Sequence, residues 1–393
     1  MLLLLGCCVA AAWVGGAPLA PADAGRAGAE GGRWAWVFLG SLAAAFAAYL
    51  GAVALLRRFR PRLVLVGAFA VAIQLLPLAA PLLLSTDAWA YWQYGEIAAA
   101  GDDPYRVVPN EVPGNPAFPY AGSAWRDSIS VYGPAFTLGS EVVARAAGSS
   151  PDAAAWTFKV VAALAMLALT GLAAKLATDR IAAVVLVGWN PLFAIHFAGG
   201  GHNDSLMLAL VLAALVLAAS GRRVLAGVGW ALAVLVKWVP LVFLVLRGLA
   251  ARATGRRVDH AGFAGAAVLV AALATWRYGI DWLRAFGPLA RNAKEQSSYA
   301  LPHRLEQLGL PHGLTLAVAA IALAVGLGWL AREALHGRAR LGRAGCLLLA
   351  TTPWLTPWYA IWALPLAAAE DDRRAQLVAL AFCVYLLPQT IPV

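Results

Sequence analysis

Apolar runs of about 20 residues recur along the chain, separated by short polar or basic breaks. At 1.5 Å per residue, about 20 residues in a helix cross a hydrocarbon core. The pattern predicts nine full spans, at 1–20, 33–55, 63–84, 154–177, 181–198, 205–220, 260–276, 313–331 and 375–391. Two more apolar stretches, 224–250 and 344–369, are interrupted near their middles. K-W-V-P (Lys237 to Pro240) breaks the first, and T-T-P-W-L-T-P-W-Y (Thr351 to Tyr359) breaks the second. Basic residues flank both ends of each: Arg222 and Arg223 with Arg247 and Arg252, then Arg340 and Arg343 with Arg373 and Arg374. A straight span would carry one cluster across the membrane, whereas a hairpin of two half-helices keeps both on one side. Broken helices at membrane depth are tolerated where they are buried or line a cavity. Both stretches are therefore expected to be hairpins whose tips face a site.

Composition agrees with the pattern. The chain is 62% hydrophobic and 13% charged, with a mean hydropathy of +0.73. That excludes a soluble globular fold and predicts an all-α polytopic membrane protein, one integrated bundle over 1–393. The net charge of +10 then marks cytoplasmic loops and is no sign of a nucleic-acid partner. On this reading the N-terminus and the loops at 56–62, 178–180, 221–223, 247–259, 332–343 and 370–374 are cytoplasmic. The opposite face collects a large 85–153 loop, the 199–204 turn, a 277–312 loop and the two hairpin tips. The 277–312 loop carries Arg277, Arg284, Arg291, Lys294 and Arg304, and long loops can escape the positive-inside rule. Within 85–153, residues 88–100 are expected to lie on the membrane surface as an amphipathic helix, with Trp89, Trp92 and Ile97 toward lipid. Cys7, Cys8, Cys346 and Cys383 all lie in apolar segments, so no disulfide framework is expected.

Asp87 is the most informative polar position. It lies where the 63–84 run meets the longest polar stretch, in S-T-D-A-W-A-Y-W. A carboxylate there could serve chemistry at the membrane boundary, or simply start the following helix. The second signal is G-G-G-H-N-D, with His202, Asn203 and Asp204 following three glycines. Asp204 also suits the N-terminus of the next helix. No histidine has a partner at metal-ligand spacing, so no metal is expected. Lys237 is a cation inside an apolar hairpin, costly unless it meets an anion or water. Tyr105 in D-D-P-Y, Arg126 in W-R and Tyr132 in Y-G-P are turn residues that also suit sugar stacking and phosphate contacts. Walker A, H-E-x-x-H, G-x-S-x-G and dinucleotide patterns are absent, so neither nucleotide hydrolysis nor a soluble cofactor is expected.

In order along the chain, D-A-W-A-Y-W-Q-Y-G, G-D-D-P-Y, W-R, Y-G-P, W-N-P-L, G-H-N-D-S-L-M, L-V-K-W-V-P and T-P-W-Y-A-I-W-A-L-P resemble the GT-C superfamily of integral membrane glycosyltransferases. The set is most similar to the bacterial polyprenol-phosphate-mannose-dependent mannosyltransferases of lipomannan-type glycans and the related glycosyltransferase 87 group. The resemblance implies a GT-C-like bundle in the bacterial plasma membrane with an extracytoplasmic site. It implies a polyprenyl-phosphate-mannose donor and a glycan or glycolipid acceptor. It also implies Asp87 as catalytic base. Lys237, with Arg126 or Arg291, would then neutralise the leaving phosphate. His202, Asn203, Asp204, Tyr105, Tyr132, Trp358 and Tyr359 would hold the sugars. Three alternatives stay open: a transporter or flippase of a lipid-linked sugar, a GT-C enzyme that uses another polyprenyl-phosphate sugar, and a non-catalytic assembly subunit that retains the scaffold.

Overall fold

Proline, glycine and polar clusters decide where the apolar runs stay straight. The structure is a computed structural model, and it describes residues 1–16, 19–21, 32–56, 58–256 and 260–393. Most of the polar 21–32 stretch, and parts of the expected span 1–20 and of the loops 56–62 and 247–259, lie outside the described residues. The helices are α1 (Leu2–Gly15), α2 (Gly32–Leu55), α3 (Leu63–Leu75), α4 (Asp87–Ala99), α5 (Pro134–Ala147), α6 (Pro151–Leu176), α7 (Arg180–Gly188), α8 (Pro191–Ala194) and α9 (Asp204–Ala219). They continue with α10 (Arg223–Val236), α11 (Pro240–Ala253), α12 (His260–Tyr278), α13 (Phe286–Asn292), α14 (Leu301–Gln307), α15 (His312–Leu335), α16 (Leu341–Thr351), α17 (Leu364–Ala369) and α18 (Arg373–Leu386). Among the described residues there is no strand.

Four continuous helical stretches are long and apolar enough to cross a membrane: Gly32–Leu55, Pro151–Leu176, His260–Asn292 and His312–Leu335. On α12 and α15 the apolar side chains point outward: Trp276 is 83%, Val268 67% and Ile321 63% exposed. Helices apolar all round and unburied by protein need lipid as their solvent. The expected 181–198 span is instead bent by 49° between α7 and the helical stretch Pro191–Gly199. Asn190 causes the break: its side chain accepts the Leu192 N–H (3.0 Å), and Pro191 takes the first helical position. The expected spans at 63–84 and 205–220 form shorter helices, Leu63–Ala79 and Asp204–Ala219.

Both interrupted stretches return to the end from which they start. α16 and α17 cross with almost no room between them. A Cβ on Gly342 would lie 2.6 Å from Ala367 Cα, and one on Gly345 only 2.2 Å from the Trp362 carbonyl oxygen. The Glu370 carboxylate closes the base by accepting the Leu341 and Gly342 N–H groups at 2.8 and 2.9 Å. Gly345→Ala is therefore expected to cost roughly 1–3 kcal/mol by overpacking, read as a lower thermal unfolding midpoint in detergent. An unchanged midpoint contradicts this crossing. α10 and α11 form a wider V: residues from the start of α10 and the end of α11 line one cavity.

The six loops expected together do gather at one end. Arg60 pairs with Asp179 at 2.5 Å. Asp371 accepts the Thr178 N–H at 2.7 Å. Arg343 pairs with Asp372 at 2.6 Å. A Cβ on Gly337 would touch Thr254, and Gly221 and Arg223 share a cavity with Ala251, Arg252, Gly255 and Arg256.

At the other end, the 85–153 segment is far more folded than a loop. α4 forms as expected, but not on the membrane surface: Trp89, Trp92 and Ile97 are buried, not turned to lipid. α5 packs along α4, with Gly95 against the Ser140 backbone, and Tyr120 covers both tryptophans. Glu141 on α5 ties in the end of α12. It accepts from Arg277 (3.2 Å), Tyr278 (3.0 Å) and Arg145 (2.7 Å). Burial alone would raise the Glu141 pKa, but the bonds from Arg145, Tyr278 and Arg277 hold it below the ordinary 4.5. A depressed carboxyl pKa stabilises the fold above the unfolded value and loses that contribution as pH falls through the folded one. Wild-type protein should thus lose more of its unfolding midpoint than Glu141→Gln on acidification below about pH 4.5. Parallel acid curves for the two proteins contradict this.

Candidate functional site

Asp87 is the first residue of α4, and its side chain makes no cap. Its backbone N–H donates to the Ser85 hydroxyl at 3.2 Å. The chain entering it is held hard. Lys159, buried in α6, donates to the carbonyls of Leu78 (3.2 Å), Ala80 and Pro81 (3.4 Å). Leu83 N–H donates to the Gly199 carbonyl at 3.0 Å. Leu84 adopts a left-handed backbone at φ 59°. Such strain persists only where surrounding structure over-determines it, and it clusters at working sites.

The G-G-G-H-N-D turn faces Asp87. Gly201 takes φ +72°, and a Cβ there would meet Ala88, Phe158 and the Lys159 backbone at 3.4 Å. His202 Nδ1 comes within 3.2 Å of Asp87 Oδ2, without the angles of a hydrogen bond. The His202 ring stacks on Trp358, with centroids 3.6 Å apart and planes 16° from parallel. His196, in the π-turn Ile195–Gly199, lies 5.6 Å from Trp358 and 6.0 Å from His202. Both nitrogens of His196 and of His202, and both amide atoms of Asn203, are buried without hydrogen-bond partners. Buried polar atoms ordinarily find partners, so this concentration beside Asp87 marks a place where polar groups from elsewhere can bind.

A second, closed network stands beside it. Lys237 Nζ donates to both Asp204 oxygens at 2.7 and 2.8 Å, and Trp362 Nε1 donates to Asp204 Oδ1 at 2.8 Å. Lys237 also lies 5.0 Å over the Tyr359 ring. The Pro357–Trp362 segment is a 3-10 turn, in which residues three apart eclipse. Tyr359 and Trp362 therefore stack, 3.9 Å apart at 22°. Gly133 N–H donates to the Val236 carbonyl at 3.2 Å, which ties Y-G-P to the residue before Lys237. The Tyr132 and Tyr91 rings meet edge to face at 4.9 Å. Burial, then the Asp87 and Asp204 carboxylates, push the Tyr91 phenol well up and keep it neutral.

A family model described as "Alpha-(1->6)-mannopyranosyltransferase, N-terminal domain" matches residues 4–253, more than half the chain. The chain belongs to this family. It is 30% identical over 342 residues to alpha-(1->6)-mannopyranosyltransferase A of Mycobacterium tuberculosis, covering 77% of this chain and 65% of that protein. It is 27% identical over 380 residues to a probable alpha-(1->6)-mannopyranosyltransferase of Mycolicibacterium smegmatis, covering 80% and 67%. With alpha-(1->6)-mannopyranosyltransferase A of Corynebacterium glutamicum it shares 30% identity over 231 residues, covering 52% and 46%. The chain thus spans about two thirds or less of the length of these relatives. No solved structure matches it.

The mannopyranosyltransferase match contains Asp87, His202, Asn203, Asp204 and Lys237, while Trp358, Tyr359 and Trp362 reach the site from beyond it. Of the expected site residues, the structure brings together Asp87, His202, Asn203 and Trp358, and beside them Asp204, Lys237 and Tyr359. Tyr132 supports the cluster through Tyr91. Tyr105 does not line it: its hydroxyl donates to Thr137 (2.7 Å) and to the Tyr132 carbonyl (3.1 Å), deep under α5. The Arg126 guanidinium lies 4.7 Å over the Phe118 ring, and Arg291 is exposed on α13. Neither makes a hydrogen bond, ion pair or ring contact with the cluster. His196, Tyr91, Trp362 and Lys159 are additions. Trp362 was findable from its three-residue offset to Tyr359 after a proline. His196 carries no local signal, since a π-turn brings it round. Among the described residues no three His, Cys, Asp or Glu side chains converge as metal ligands.

Proposed function

We propose that this chain transfers a mannosyl residue from a polyprenyl-phosphate donor to a hydroxyl of a glycan or glycolipid acceptor. The reaction is placed on the extracytoplasmic side of a bacterial plasma membrane, in one integrated bundle whose basic loops face the cytoplasm. The observation that carries this reading is the Asp87 carboxylate. It is held by a strained, anchored segment, takes no hydrogen bond from the protein, and faces a bed of unpartnered polar side chains. Membership of a mannopyranosyltransferase family and relatives named alpha-(1->6)-mannopyranosyltransferases support the sugar.

The step balances with one base. The acceptor O–H proton moves to Asp87, and the acceptor oxygen attacks the anomeric carbon. The bond from that carbon to the phosphate oxygen breaks, and polyprenyl phosphate leaves carrying the extra negative charge. No general acid is needed, unlike the paired carboxylates of most glycoside hydrolases. Lys237 shares its charge with Asp204 and Tyr359, and it offers its field to that phosphate. Trp358 gives a sugar ring a flat apolar face, and His202 and Asn203 offer hydroxyl partners.

A labelled polyprenyl-phosphate-mannose, the purified chain in nanodiscs and an oligomannoside acceptor separate transferase from transporter. Label in the acceptor with release of polyprenyl phosphate is expected. Donor that crosses a vesicle membrane with its mannose still attached overturns the proposal.

A further inference from the structure

A cavity of about 1430 Å³ is lined by none of the residues around Asp87. It lies within the V of α10 and α11 at the basic end, closed by the end of α9 and the start of α12. Four arginines line it: Arg223, Arg247, Arg252 and Arg256. None pairs with a carboxylate among the described residues, whereas Arg60, Arg340 and Arg343 at the same end do. Glu370 is the carboxylate whose field reaches Arg247, but its oxygens accept the Leu341 and Gly342 N–H groups. Among the described residues no Asp or Glu lines the cavity.

The remaining wall is apolar. Trp230 stands on the α10 side, and Val245, 59% exposed, on the α11 side. The volume exceeds the roughly 300–1,000 Å³ of small-ligand pockets. Four cations without a carboxylate partner among the described residues, over an apolar cleft between membrane helices, match an anion that carries hydrocarbon. Arginine forks bind phosphate oxygens two at a time, and basic pockets between helices hold anionic headgroups. We propose that this cavity binds an anionic phospholipid, its phosphate among Arg223, Arg247, Arg252 and Arg256 and its chains along Trp230 and Val245. α10 runs from this cavity to Lys237, so the lipid would brace the helix that carries that cation.

The test is retention of phosphatidylglycerol by the purified chain, followed by native mass spectrometry against phosphatidylcholine. Wild type is expected to hold phosphatidylglycerol at least about tenfold better. Arg247→Gln/Arg252→Gln should abolish that preference, while Arg373→Gln/Arg374→Gln, at the same end but outside the cavity, should keep it. In the unmutated cavity, phosphatidylglycerol with brominated chains should quench a share of the fluorescence that is missing in Trp230→Phe. Equal retention of both lipids by wild type overturns the proposal. So does displacement of the lipid by millimolar inorganic phosphate, which would make this a free-phosphate site. Retention is read without glycosyl transfer, so its failure leaves the proposed reaction standing.

Discussion

Asp87→Asn is expected to lower mannosyl transfer by about 10²- to 10⁴-fold, the usual contribution of a positioned general base, while the unfolding midpoint barely moves. The amide keeps the size of the carboxylate but cannot accept the acceptor proton at neutral pH. Stability should survive because the Asp87 carboxylate caps nothing. The chain before it is fastened by Lys159, Gly199 and Leu19 through backbone groups that the substitution leaves in place. Donor binding, measured with a non-transferable analogue, should change little. A variant that turns over near the wild-type rate removes Asp87 from the chemistry. A variant that fails to fold would instead make Asp87 a structural residue.

Lys237→Met is expected to be the most destabilising substitution in the site. Asp204 is fully buried, and Lys237 is its charge partner. Removing one member of a buried pair leaves an uncompensated charge and costs about 3–5 kcal/mol. Trp362 still donates to Asp204, which favours the lower end of that range. The double variant Lys237→Met/Asp204→Leu should recover most of the lost stability, because replacing a whole buried pair with apolar residues is often neutral. It should not recover transfer, since the cation proposed to face the phosphate is gone. A double variant with full activity would show the pair to be structural alone. A double variant as unstable as the single would show that packing around Trp362 and Tyr359, not charge, holds this corner together.

How much of this was legible depended on whether the cause was local. The hairpins were readable because proline and basic flanks act within one segment: Lys237–Pro240 and Thr351–Tyr359 break their helices as their residues dictate. The bend at Asn190–Pro191 has the same kind of local signature, a cap followed by proline, but the apolar run around it masked the signature. Asp87 stood out at the boundary of an apolar run, His202 in a glycine-rich turn between two apolar runs, and Lys237 as a cation inside one. Their partners did not. Asp204 read as a helix-start residue or sugar ligand, because its salt bridge comes from a residue 33 positions away. The tryptophans of α4 read as lipid-facing because Tyr120, which covers them, lies 31 and 28 residues on, in a stretch read as an open loop. Tyr105, Arg126 and Arg291 had suitable chemistry, but whether a side chain points into a pocket is decided by packing, which composition does not record.

The proposed reaction is a single displacement at the anomeric carbon, with Asp87 as base and a lipid phosphate as leaving group. The direct measurement is the stereochemical course with a purified chain, β-linked polyprenyl-phosphate-mannose labelled at the anomeric carbon, and a mannoside acceptor, followed by ¹³C NMR. The account predicts an α-linked product, one polyprenyl phosphate released per mannose transferred, and loss of both signals in Asp87→Asn. A β-linked product, or transfer that persists in Asp87→Asn, would contradict it.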